Sequence, residues 1–200
     1  MCMKFMLRIF LFSFILCIVN GCISVDDLVA DKKNEGTISC MVNGELFEVE
    51  GGKGLAASEH LLADMVKEDG SFLLTVFGVK VQEDKKGLAI GFKLGGEKVA
   101  DVNPGDVFTE WEVLDEVEGT FEGAMGGVEE RESVSTPDHL LKASSNHTGE
   151  MSLTIDAIDT VEQRISGTFS FTAKDKENGT IMEIKDGVFE NVRWEEKTAP

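Results

Sequence analysis

The chain has 200 residues, 42% of them hydrophobic, with 19 basic and 37 acidic side chains and a formal charge of −18. That length suits one domain with a sizeable core. So acidic a surface repels phosphate backbones and argues against nucleic acid as a partner; it repels an anionic membrane face as well.

Residues 1–21 have the order of a secretory signal peptide. Lys4 and Arg8 supply positive charge, Ile9 to Val19 runs uncharged, and Val19-Asn20-Gly21-Cys22 precedes a polar, acidic stretch. As a helix, the 11 uncharged residues reach about 16 Å. A bilayer core is about 30 Å thick, so the run is short for a span. The alternative, an uncleaved anchor, needs Met3 to Ile23 to cross with Lys4 and Arg8 snorkelling.

Val19-Asn20-Gly21-Cys22 resembles the lipobox of bacterial lipoproteins. Asn20 stands where Ser, Thr or Ala is usual. The resemblance implies cleavage before Cys22 and lipid attachment to its thiol, the nucleophile that takes a diacylglycerol. One acyl chain holds a protein marginally, while two or more hold it stably. Without Lys4 and Arg8, 17 basic groups face 37 acidic ones, a charge of −20. The lipid on Cys22, not the surface, must then make the membrane its partner. Cys2 and Cys17 leave with the signal, so Cys40 is alone in the folded part and reads as a buried, inert thiol in a strand.

Residues 22–35 read as the acylated Cys22 and a flexible tether, up to about 40 Å if extended. Residues 36–195 read as a single all-β domain, an antiparallel β-sandwich or flattened barrel with at most one or two short helical turns, and residues 196–200 as a tail. Thr37 to Val42 and Glu45 to Glu50 flank Asn43-Gly44, a strong hairpin signal. Residues 59–67 fit a helical face or a strand closed by Asp69-Gly70, and lean toward the strand. Phe72 to Val81 is apolar on both faces, as in a central strand. Leu88, Ile90, Phe92 and Leu94 alternate with small or polar residues. Residues 123–148 have the least pattern and read as a long surface loop with a helical turn over 137–143, either functional or disordered. Met151, Leu153 and Ile155, then Ile165, Phe169 and Phe171, mark the inward faces of two further strands. Turns are expected at Asp84 to Gly87, Pro104-Gly105, Asn178-Gly179 and Asp186-Gly187. Gly-Thr pairs at Gly36, Gly119, Gly167 and Gly179 read as strand entries.

Gly149 to Trp194 resembles the C-terminal half of a family of small lipoproteins from Bacteroidota. The matching features are the Thr-Ile strand at Leu153 to Ile155, the acidic turn at Asp156 to Asp159, Ser-Gly-Thr-Phe-Ser-Phe at Ser166 to Phe171, and Ile-x-Asp-Gly-x-Phe at Ile184 to Phe189. Gly36 to Phe47 resembles the family's opening hairpin. The resemblance implies an all-β lipoprotein domain of uncharacterised function, with no catalytic residue to carry over. The same group often carries acids after the acylated Cys as a surface-export signal, and Ser24-Val25-Asp26-Asp27 is similar. Ile23 is not the Asp that favours inner-membrane retention. The expected location is the bacterial outer membrane, on its exposed side rather than the periplasmic one.

Catalytic signatures are missing. His60, His139 and His147 show no zinc spacing, and no nucleophile elbow or phosphate-binding glycine loop is present. Glu110 and Glu112 beside Trp111 could serve glycan hydrolysis. Plain alternation, with Trp111 and Val113 inward and both glutamates in water, explains them more simply. Asp101-x-Asn103-x-Gly105-Asp106 and Asp175-x-Glu177-Asn178-Gly179 place oxygens in turns and could hold Ca²⁺, though neither has a full calcium loop. Trp194 reads as a packing residue. No cofactor, metal site or catalytic residue is assigned. The expected function is a non-enzymatic binding or interaction module with a glycan, peptide or envelope-protein partner. An envelope glycan hydrolase and a subunit pairing through a sheet edge stand as alternatives.

Overall fold

The computed structural model describes residues 35–52, 59–68, 70–82, 84, 86–115, 120–133 and 138–197. These form thirteen strands: β1 (Thr37–Val42), β2 (Glu45–Glu50), β3 (Glu59–Glu68), β4 (Ser71–Val81), β5 (Gly87–Gly96), β6 (Val107–Phe108), β7 (Trp111–Asp115), β8 (Thr120–Arg131), β9 (His139–Ser144), β10 (Met151–Asp159), β11 (Arg164–Asp175), β12 (Ile181–Arg193) and β13 (Glu195–Lys197). The Asn43-Gly44 hairpin forms as expected, with both residues at positive φ, 49° and 88°. Residues 59–67 are strand, paired along their length with β4.

The strands make one sheet, ordered β13-β3-β4-β5-β8-β9-β11-β12-β1-β2, with β7 on β8 and β10 between β11 and β6. The sheet is not closed into a barrel, so the flattened-barrel option falls away. It is also not wholly antiparallel, since β13 runs parallel to β3. That pairing carries the sheet through Glu195–Lys197, two residues into the expected tail.

The sheet folds over so that its two halves face each other. Phe92 on β5 meets Phe169 on β11 and Phe189 on β12, at centroid distances of 5.6 and 4.8 Å. These rings fill the centre of a core closed by Ile38, Leu74, Leu94, Leu153 and Trp194. Ring pairs at such distances add about 0.5–1.5 kcal/mol each beyond their area burial. β4 is apolar on both faces, as its sequence indicates. Leu74 and Val76 enter the main core, while Phe77 and Val79 join Leu62 and Ala89 in a second cluster on the opposite face.

Several sequence expectations are corrected. Residues 123–148 are not a long loop: β8 and β9 occupy most of the segment, β9 takes the place of the helical turn expected over 137–143, and among the described residues the helical turn is a short 3-10 turn at Ser145–His147. The glycines that obscured the pattern have their side-chain space taken by distant groups: the rings of Phe171 and Phe77 lie against Gly126 and Gly127, and the Glu110 carbonyl lies against Gly123, whose φ is 103°. A Cβ on Gly126 would lie 2.3 Å from the Phe171 ring. Gly167 and Asp186-Gly187 are likewise not entries or turns. They lie inside β11 and β12 at bulges, with Asp186 at φ 51° and Phe189 and Phe169 against the two glycines. Alternation along β7 puts Val113 on the solvent side, 52% exposed, rather than inward.

The fold turns its corner at β9, which pairs broadly with β8 but meets β11 only at Lys174↔Ser144 and Asp175↔Ala143. Two side chains seal the narrow join. The buried Asp175 carboxylate accepts from the backbone N–H of Lys142 (3.0 Å), and Ser145 Oγ accepts from the N–H of Gly126 (2.9 Å).

Replacing a strand glycine with alanine ordinarily stabilises by about 0.5–1 kcal/mol. Gly126→Ala should do the reverse, costing about 1–3 kcal/mol in a urea titration. The loss should shrink when Phe171→Leu is added, because the two changes share one contact.

Candidate functional site

The inner face of the sheet is filled, so unused chemistry gathers outside, on the outer face of β4, β5 and β8. Three positions of β5 share that face: Gly91, Lys93 and Gly95, registered with Phe77, Thr75 and Leu73 on β4 and with Gly127, Met125 and Gly123 on β8. The Phe77 ring lies against both Gly91 and Gly127, at 2.9 and 3.2 Å from where their Cβ atoms would be. The Phe121 ring occupies the side-chain space of Gly95. Trp111 stacks on Phe121 at a centroid distance of 4.1 Å and an interplanar angle of 16°. Both rings of the stack remain half-buried. The result is a flat aromatic step, with one half-buried lysine standing between two ring-covered glycines.

Lys93 is unusual in so acidic a chain. Burial and repulsion from Lys142 hold its ammonium below the ordinary lysine range, and no carboxylate offsets them. At one end of the same face, Glu129 and Arg131 are buried and paired through Arg131 Nε and Glu129 Oε1. His139 Nδ1 lies 3.2 Å from the same oxygen but is not aligned as a hydrogen bond.

Sequence reasoning reached Trp111 but not Phe121 or Lys93. Their signal was a lysine and two outward glycines within the otherwise apolar Gly87-Leu-Ala-Ile-Gly-Phe-Lys-Leu-Gly-Gly96 run. Only the neighbouring strands explain that pattern. Glu110 and Glu112 are both exposed, as alternation suggested, while Trp111 packs on a ring rather than in the core.

The other sequence candidates are dispersed. Cys22 and the signal segment lie outside the described residues. Cys40 is buried and free, and burial pushes its thiol up to about 12. His60 is on β3, His139 is the first residue of β9, and His147 ends the 3-10 turn that follows that strand. Burial, then the charge of Lys176, pushes the His147 imidazole down. In the Asp101 to Asp106 segment, Asp106 Oδ2 accepts from the N–H of Asn103 at 2.7 Å, and Asn103 Nδ2 donates to the Asp101 carbonyl at 2.7 Å. Asp106 and Gly105 also bond the backbone of Ile155, pinning this segment to β10. The Asp175 carboxylate accepts from the N–H groups of Lys142, Glu177 and Asn178 and from Asn178 Nδ2. Both oxygen-rich turns thus have structural employment. Among the described residues, no three His, Cys, Asp or Glu side chains converge on a metal position.

Residues 111–193 match a family described as a domain of unknown function, DUF6252. The match runs from the first residue of β7 to the last of β12. It includes Trp111, Phe121 and the Asp175 corner, and leaves out β1–β5 with Lys93. No curated protein and no solved structure matches the chain.

The backbone N–H of Lys142 is the main cause holding the Asp175 carboxyl below the usual aspartate range, helped by Glu177 and Asn178. A lowered folded value means the stabilisation is complete above the unfolded value, about 3.9, and is lost as pH falls through the folded one. Asp175→Asn should cost about 1.5–3 kcal/mol at neutral pH. It should also flatten the acid limb of the stability curve, followed by denaturant titration across pH 2–6.

Proposed function

We propose that this protein is a lipid-anchored envelope protein of a bacterial outer membrane. In this reading it is displayed on the outer side and acts as a non-enzymatic binding module rather than a catalyst. The anchor is the diacylglycerol thioether on Cys22, supported by the short apolar run before Gly21-Cys22 and the acidic chain after it. The ligand lies across the outer face of β4, β5 and β8.

The observation that carries the binding role is the Trp111–Phe121 stack, raised on the glycine floor at Gly95 and left half-open to solvent. Stacked rings on a rigid sheet present area with little side-chain entropy left to lose. A flat, weakly polar ligand surface, such as a sugar ring, can therefore settle there. The alternation that turns Glu112 off this face also separates it from the stack, which gives glycan hydrolysis less support than binding.

Cys22→Ser should abolish palmitate labelling in a bacterial host and leave an uncleaved precursor on an immunoblot; labelling that persists would overturn the anchor. Trp111→Ala should cut retention of the chain's glycan or envelope ligand at least tenfold on a glycan array and in envelope pull-downs, with the thermal midpoint nearly unchanged. Turnover of an envelope glycan by the purified chain would overturn the binding reading in favour of an enzyme.

A further inference from the structure

We infer that the ligand of this face is a saccharide carrying a single carboxylate or sulfate, gripped by the Lys93 ammonium while a neighbouring sugar ring lies on the Trp111–Phe121 stack. The inference rests on the binding reading above and names its ligand class.

The first argument is charge. Lys93 sits on the outer face of β5 among neutral registered partners, Thr75 and Met125, with Gly91 and Gly95 on either side along its own strand. The rings over those glycines, Phe77 and Phe121, are apolar. The other half-buried lysines described have acids at hand, Lys80 with Glu59 and Lys86 with Asp84 and Glu130, and so do the exposed Lys67 and Lys185, with Glu196 and Glu183. In a chain with 37 acids against 19 bases, a half-buried ammonium without one is the exception. Holding it there costs desolvation that no internal carboxylate offsets. An incoming anion would offset it, through a charge-assisted hydrogen bond in a partly dry setting.

The second argument is spacing. Lys93 and Gly95 are two residues apart on one strand face, about 7 Å. The root of the lysine side chain thus stands about one sugar residue from the ring stack covering Gly95, within reach of a ligand that lies on both. Thr75, beside Lys93 on β4, adds a hydroxyl on the same face for a sugar hydroxyl to meet. A carboxylate on one residue and the apolar face of the next would be engaged together.

The third argument limits the ligand's charge. The net −18 surface repels a long polyanion. One anionic group among neutral sugars takes the lysine without meeting that repulsion along its length.

The test uses the full lipidated chain in detergent on an array of glycans bearing one uronate, one sialate or one sulfate. Each is printed beside its neutral counterpart, either carboxyl-reduced or desulfated. The expected result is retention of acidic members over their neutral partners by about tenfold to a hundredfold. Lys93→Met, which keeps the apolar stem, should erase that preference, and Lys93→Arg should keep most of it. The thermal midpoint of Lys93→Met should be unchanged or raised, because a buried uncompensated charge has gone. The uronate and sulfate arms decide which anion is preferred. Equal binding of acidic and neutral partners, or a preference that survives Lys93→Met, overturns this inference; if Trp111→Ala still abolishes retention, the binding face itself stands. Retention of no acidic glycan also overturns the inference, and a peptide or envelope protein then captured through Trp111 would preserve the binding reading with a different ligand.

Discussion

Phenylalanine rings lying where glycine lacks a side chain determine how this sheet packs. On the inner side Phe171 covers Gly126, and Phe189 and Phe169 lie against Gly167 and Gly187; on the outer side Phe121 covers Gly95, and Phe77 lies against Gly91 and Gly127; at Gly91, Gly167 and Gly187 a backbone carbonyl, of Val76, Thr154 and Phe169, stands nearer still. The chain has 13 phenylalanines and no tyrosine, so each ring can be buried without a hydroxyl that needs a partner. Each pairing offsets the weakness of a glycine within a strand by packing apolar surface onto its bare backbone. It also lets the two halves of a single sheet approach closely, with Phe92, Phe169 and Phe189 meeting at the centre.

The same constraint makes the fold depend on a narrow join. β8 and β11 come from opposite halves, and β9 bridges them with only two residue pairs on the β11 side. A corner with so few ladder bonds leaves backbone groups that must be satisfied another way. Asp175 and Ser145 take that role, each accepting from a backbone N–H on the neighbouring segment. The segment matched by the family of unknown function contains this corner but not β5. In this chain, the centre of the core is completed by Phe92, from outside the match.

A filled interior turns attention to the surface. The deepest apolar volume is occupied by rings, and the oxygen-rich turns bond their own backbone. The Trp111–Phe121 step and Lys93 stand together on the outer side of the sheet, half-buried and without an acidic partner for the lysine. The glycines that let the layers close inside are matched by glycines that lower the floor outside. One compositional feature thus shapes both the core and the candidate binding face.

Much of the fold is legible in the sequence because it rests on local rules. Two-residue alternation marked the inward faces of β5, β10 and β11, Asn43-Gly44 set the first hairpin, and Asp69-Gly70 pointed to strand for 59–67. Alternation also indicated that Glu110 and Glu112 are exposed, although the expected inward facing of Trp111 and Val113 did not hold. The Cys22 motif and the net acidic balance are likewise properties of the chain itself. Tertiary contact decided the rest. β8 looked like a loop because Gly123, Gly126 and Gly127 carry no apolar signal of their own, and Phe77 and Phe171, which fill two of those places, are distant in sequence. Gly167 and Gly187 looked like punctuation for the same reason, and proved to be bulge sites under rings. Lys93 reads in sequence as an ordinary strand lysine. It became the distinctive group of the candidate site only once β4 and β8 had placed neutral neighbours on both sides, because a charge is defined by what surrounds it and that is set by the register of other strands.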